Sequence, residues 1–183
     1  DRDPEAVIGP DWFAARLTRA LTLRERLYDA PFYRLVHAEA DALPGVIIDR
    51  FGDLAVIQPN AAWAETHIGA LTEALIQVTG VTRVLKNGTG RSRTLEGLAE
   101  ETVILRGRID APVPVRMNGA SYMADVMGGQ KTGLFLDQRD NHAFASRLAR
   151  GARVLDVFSH VGGFALAALA GGATSALAVD SSA

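Results

Sequence analysis

The pattern that most constrains this chain lies near its end: ARVLDVF over residues 152–158, GGFALAALA over 162–170 and SALAVD over 175–180. It reads as a buried strand, a helix beginning at a glycine pair, and a second strand. That order makes a βαβ unit, the opening of a parallel sheet covered by helices. Such sheets usually carry more strands, so the domain begun at Arg153 is expected to be incomplete.

Upstream, residues 1–30 read as a leading helix and linker. Asp11 is a plausible N-cap, Trp12, Leu17, Leu21 and Leu27 form a loose apolar stripe, and DAP is the stop. YRLVH, GVIIDR and LAVIQP, separated by Pro-Gly and Gly-Asp turns, predict a three-strand antiparallel meander. Ile68, Leu71, Leu75 and Val78 have helical spacing, and RVLK and TVILRG read as two further strands. Residues 31–110 are thus expected to form an α+β module ordered strand-strand-strand-helix-strand-strand. Residues 111–183 are expected to hold a hairpin, turned at Asn118-Gly119, and the N-terminal part of a Rossmann-like domain. The fold class is α/β. A helix is expected from Asp137, with Phe144 and Leu148 in the core and His142 on the surface.

Composition narrows the chemistry. The 183 residues are 48% hydrophobic with a formal net charge of −2, which points to a globular chain and gives no global signature of a nucleic-acid binder. The acidic, polar start does not resemble a signal peptide, and no apolar run is long enough for a membrane span; a cytoplasmic protein without membrane contact is expected. With no cysteine, and with His37, His67, His142 and His160 scattered, metal chemistry is not expected.

In a βαβ unit, ligands bind beyond the carboxyl end of the first strand, where the helix N-terminus directs amides into the crevice. Here the connecting loop, Asp156 to Gly163, is neither a dinucleotide fingerprint nor a P-loop. A carboxylate at Asp156 repels a pyrophosphate and attracts a cationic group. Asp180, closing the second strand, can accept hydrogen bonds from ribose hydroxyls. Asp156, Gly162, Gly163 and Asp180 together fit S-adenosylmethionine. The plainer alternative makes the glycines a device for helix–strand packing and both acids solvated caps.

The stretch KTGLFLDQRDN, residues 131–141, folds back toward the same loop. Phe135 could wall an adenine or a base, Gln138 bond the amino-acid end, and Arg139 clamp a carboxylate through two parallel hydrogen bonds. Asp137 has an equal alternative as a helix N-cap.

KTGLFLDQRDN, followed by VLDVFSHVGGFALAALAGGA and AVDSS, resembles the bacterial large-subunit ribosomal RNA cytosine-5 methyltransferases. EADALPGVIIDRFGD, LEGL and the MNG hairpin are similar to the central module of that family. The resemblance implies a PUA domain before the α+β module and a complete Rossmann-like methyltransferase domain after it. It implies that S-adenosylmethionine is held by Phe135, Gln138, Arg139, Asp156, Phe158, Ser159, Gly162, Gly163 and Asp180, and that RNA crosses the α+β module. His160 and Val161 depart from the aromatic residue and threonine frequent in the family, and His142 stands where arginine is common. Methylation at cytosine carbon 5 also needs a thiolate to add at carbon 6. With no cysteine, the segment as written should not catalyse. Relatives with the same signature methylate guanine nitrogen, which needs no thiolate.

RVLKNGTGRSR, residues 83–93, carries four basic residues and no acid. Arg83, Lys86, Arg91 and Arg93 could track RNA phosphates from a loop joining the last two strands of the module; a solvated glycine-rich loop explains the composition equally well, and it is the family resemblance that implies RNA. Trp12, Trp63, Tyr33 and Tyr122 could stack on bases or fill the core. Large-subunit ribosomal RNA is the expected partner, and a homodimer stays open. A non-catalytic RNA-binding module and a nucleotide-dependent oxidoreductase are the competing readings. The second is disfavoured by Asp156 and by the missing fingerprint.

Overall fold

The computed structural model describes residues 5–128 and 132–181, so the centre of the loop expected at GGQKTG lies outside the described residues. The chain divides into two compact units, Asp1–Ala111 and Pro112–Ala183.

In the first unit, helix α1 (Pro10–Leu27) precedes a five-stranded sheet. Its strands are β1 (Phe32–His37), β2 (Val46–Phe51), β3 (Leu54–Pro59), β4 (Arg83–Gly88) and β5 (Glu101–Arg106), adjacent in chain order. β1, β2 and β3 form the expected antiparallel meander, and β4 pairs with β5 in the same sense. β3 and β4 run parallel, which requires a crossover; α2 (Ala62–Thr66) and α3 (Ile68–Thr79) provide it. The single helix expected there is broken at His67, whose Nδ1 lies 2.7 Å from the Trp63 carbonyl oxygen. Ile48, Ile57, Leu71 and Leu75 are fully buried, each contributing about 1.5–3 kcal/mol relative to exposure.

Two details of the leading helix differ from expectation. Gly9, not Asp11, occupies the N-cap, because Pro10 takes the first helical position that its fixed φ suits. Phe13, Leu17 and Ala20 make the buried face, whereas Leu27 is exposed.

The second unit opens with the hairpin β6 (Val113–Met117) and β7 (Ala120–Ala124). Its turn residues Asn118 and Gly119 have φ of 53° and 74°, as a type I′ turn demands. A 3₁₀ turn (Leu136–Gln138) leads into α5 (Arg139–Leu148). Then β8 (Arg153–Val157), α6 (Gly163–Ala170) and β9 (Ser175–Val179) form the βαβ unit, with β8 and β9 parallel.

Here the expected burial is corrected twice. Phe144 and Leu148 are 55% and 70% exposed, while His142 is 3% exposed. The polar face of α5, carrying Arg139 and His142, is the one turned inward. β8 is not a buried strand: Leu155 and Val157 are exposed and only Asp156 is buried. Gln138 rather than Asp137 takes the N-cap place of α5, and it makes no side-chain cap bond.

Candidate functional site

The loop from β8 to α6 is held in an unusual conformation. Phe158, His160 and Gly162 have φ of 62°, 51° and 75°. Glycine adopts such values freely, but a bulky side chain does so at a cost of order 1–2 kcal/mol. Strain of this kind persists only where the surroundings enforce it, and it concentrates at ligand sites. Here the enforcement is visible. Ser159 N–H donates to the Val179 carbonyl at 3.2 Å and Gly162 N–H to the Ser159 carbonyl at 2.7 Å. His160 N–H donates to Asp180 Oδ2 at 2.7 Å. Asp180 therefore pins the loop, with that oxygen already engaged.

The loop, the 3₁₀ turn and the first turns of α5 and α6 enclose a cavity of about 240 Å³. Five residues expected to hold a cofactor line it: Phe135, Gln138, Phe158, Ser159 and Gly163. Phe158 is 85% exposed, so its strained backbone presents an aromatic ring to solvent at the mouth. Phe135 meets His160 edge-on, ring centroids 4.7 Å apart. Polar groups are few and the walls aromatic, as is usual for small-molecule sites.

Four expected residues stand outside that wall. Gly162 supplies the left-handed turn. Asp180 closes β9 and holds the loop. Arg139 is 8% exposed and is not among the lining residues, and its own carbonyl accepts from Asn118 Nδ2 at 2.7 Å. Asp156 is 7% exposed and accepts from Ala165 N–H at 3.0 Å. That bond caps α6 from the neighbouring strand, because Gly162 at the N-cap has no side chain to do so. Asp156 lines a separate cavity of about 430 Å³ beside α5 and is not among the residues lining the first one. Its expected place beside a cationic ligand is therefore not a direct lining of this cavity.

The sequence reading also missed part of the wall. His142, expected at the surface, and His160 both line the cavity, and each has a buried Nδ1 without a hydrogen-bond partner. Burial holds the His142 pKa below the ordinary histidine value, against the opposing charges of Asp156 and Asp137. Phe164 packs edge-on against His142 at 4.4 Å. The available signal was the three-residue spacing from Arg139 to His142, facing a glycine on the next helix. Tyr122 is core, its hydroxyl donating to the Gly163 carbonyl at 3.3 Å. Among the described residues, no cluster of His, Asp or Glu could hold a metal ion.

The basic stretch of the first unit is a different case. Residues 83–93 do not form a loop; they build β4 and the short helix α4 (Arg91–Leu95). Arg93 is 2% exposed, donating to Glu65 at 2.8 Å, to the Pro59 carbonyl and to the Ala99 carbonyl. Lys86 is 5% exposed, donating to Glu65 and Glu101 at 2.8 and 2.9 Å. Both are corrected from RNA-facing cations to internal ties, since their donors are taken by acids and carbonyls. Arg91 is exposed, and Arg83 is partly exposed and paired with Asp53.

The family described as S-adenosylmethionine-dependent methyltransferase matches residues 97–183. The protein named ribosomal RNA large subunit methyltransferase I of Tolumonas auensis is 41% identical over 94% of this chain and 45% of its own length. The protein of the same name from Photobacterium profundum is 40% identical over 97% of this chain and 46% of its own. The chain thus spans about half the length of the curated relatives it matches. A structure described as a SAM-dependent methyltransferase from Streptococcus mutans superposes with a TM-score of 0.80 at 24% identity, covering 96% of this chain and 46% of that one. At that identity the likeness is one of fold. Among the described residues, no helix is long and apolar enough to cross a membrane.

Proposed function

We propose that the chain is part of an S-adenosylmethionine-dependent methyltransferase, as its likeness to that family over residues 97–183 and to the large-subunit methyltransferases supports, and that it serves the methylation of large-subunit ribosomal RNA in the cytoplasm. The observation that carries the reading is the strained loop, with left-handed Phe158 and His160, set against an aromatic-walled cavity at the carboxyl end of β8. S-adenosylmethionine, when bound, supplies a sulfonium methyl as the transferable group.

In this reading Phe135 and Phe158 flank the adenine, and Gln138 and Ser159 hydrogen-bond the polar ends of the donor. Gly162 and Gly163 let the backbone approach, and Asp180 holds the loop in shape while reaching toward the ribose. Arg139 and Asp156 act from behind: Arg139 orients the turn, and Asp156 fixes the start of α6 and adds negative charge near a cationic ligand. Arg91 and Arg83 are the members of the basic stretch left to meet RNA phosphates.

The RNA substrate is carried over from the names of the relatives. Carbon 5 of cytosine is the finer proposal; its thiolate has to come from outside these 183 residues, which contain no cysteine. Two measurements test the proposal. Calorimetric titration should show S-adenosylmethionine binding and no NAD binding; the reverse pattern would put an oxidoreductase in its place. Nucleoside mass spectrometry of ribosomal RNA from cells lacking the protein should show loss of a 5-methylcytosine, and loss of a methylguanine instead would reassign the chemistry.

A further inference from the structure

We infer that His142 is a specificity-determining residue of the cavity: neutral, its imidazole admits a positively charged methyl donor, and protonated, it disfavours that donor relative to the uncharged thioether product. The inference rests on the S-adenosylmethionine reading of the site and deepens it.

Geometry fixes the ring in place. His142 is 3% exposed, lies edge-on to Phe164, and sits so close to Gly163 that a Cβ there would come within 2.6 Å of its Cε1. Its contact with Gly163 and Phe164 seats it against the start of α6, on the wall of the cavity it lines. Its Nδ1 is buried without an acceptor, so an added proton there gains no hydrogen bond to offset the loss of hydration. The charged and titratable groups around it are Asp156 on β8, Asp137 on the 3₁₀ turn, His160 across the cavity and Arg139 one turn earlier on its own helix. Burial outweighs the two carboxylates, which leaves the ring neutral near neutral pH.

A cavity of about 240 Å³ is roughly 8 Å across, so a ligand charge anywhere inside it lies within a Debye length of the ring. S-adenosylmethionine and S-adenosylhomocysteine share every group except the methyl and its positive charge. The ratio of their affinities therefore reports the charges around the sulfonium, and the His142 variants single out the share of the ring.

The test is calorimetry of both ligands on the full-length protein and on His142→Phe, His142→Gln and His160→Phe, at about pH 7.5 and about pH 5.5. In the wild type and in His160→Phe, acidification should shift the affinity ratio against S-adenosylmethionine by about twofold, less than the roughly tenfold of an exposed imidazole, because burial keeps the protonated fraction of His142 small. In both His142 variants the ratio should stay constant; His142→Gln keeps a polar group of similar reach should the phenylalanine prevent folding. A wild-type ratio that ignores pH overturns the inference, as does a shift that survives in a folded His142 variant or vanishes in His160→Phe. Failure of both ligands to bind at the higher pH would instead sink the S-adenosylmethionine reading, and this inference with it.

Discussion

Gly163 on α6 and His142 on α5 are in such close contact that residue 163 has no room for a methyl group: a Cβ would lie 2.6 Å from the imidazole Cε1 and 2.8 Å from Nε2. The glycine that opens the helix is thus also the socket for a buried ring. Gly163→Ala should destabilise the protein by about 1–3 kcal/mol, the usual range for overpacking. His142→Ala in the same chain should recover much of that loss. Urea denaturation of the two single variants and the double variant checks it; additive losses would mean that the two residues do not couple.

Phe158 combines a left-handed backbone with a side chain that is 85% exposed, so its ring does little for the core. Phe158→Gly removes the strain and adds freedom to the unfolded chain, two effects of about 1 kcal/mol each with opposite sign. Stability should therefore hardly change, while affinity for S-adenosylhomocysteine falls severalfold. Thermal unfolding and calorimetry together decide it; a large stability loss with unchanged affinity would make the residue structural.

Arg93 and Arg91 lie two positions apart, yet their roles should separate. Arg93→Ala removes one of the two cationic partners of Glu65, leaving Lys86, and strips the donor from two carbonyls in a buried setting; it should cost about 2–3 kcal/mol. Arg91→Ala should leave stability intact and lower RNA affinity with a shallower salt dependence. Chemical denaturation and filter binding across salt concentrations measure both. Equal stability for the two variants would contradict the buried network.

The same network sets an acid response. Burial alone would raise the Glu65 pKa, but hydrogen bonds from Lys86 and Arg93 outweigh it and hold the carboxyl below the ordinary value. The unfolded chain then takes up the proton first. The contribution of Glu65 is complete above the unfolded value of about 4.3 and is lost as pH falls through the lower folded value. Across that window the wild type should lose stability more steeply than Glu65→Gln, as followed by denaturation midpoints; parallel curves would refute the assignment.

The strands, the hairpin and the βαβ unit were legible in the sequence, because alternation, Asn118-Gly119 and the glycine pair at 162–163 are local signals. The face of α5 was not. Phe144 and Leu148 look like core, but what packs on α6 depends on the gap at Gly163, which admits an imidazole. Arg93 and Lys86 were misread for a related reason: their partner Glu65 is 21 or more residues away, and local composition cannot show it. Within the candidate site, Phe135, Gln138, Phe158, Ser159 and Gly163 could be named from the chain alone, whereas the histidine wall and the inward role of Asp156 needed three dimensions.

The most direct measurement is a crystal structure of the protein with S-adenosylhomocysteine. The account predicts the ligand in the cavity bounded by Phe135, Phe158 and His142, with Ser159 or Gln138 in hydrogen-bond contact and Asp156 behind the wall. A ligand bound anywhere else, with this cavity closed, would contradict it.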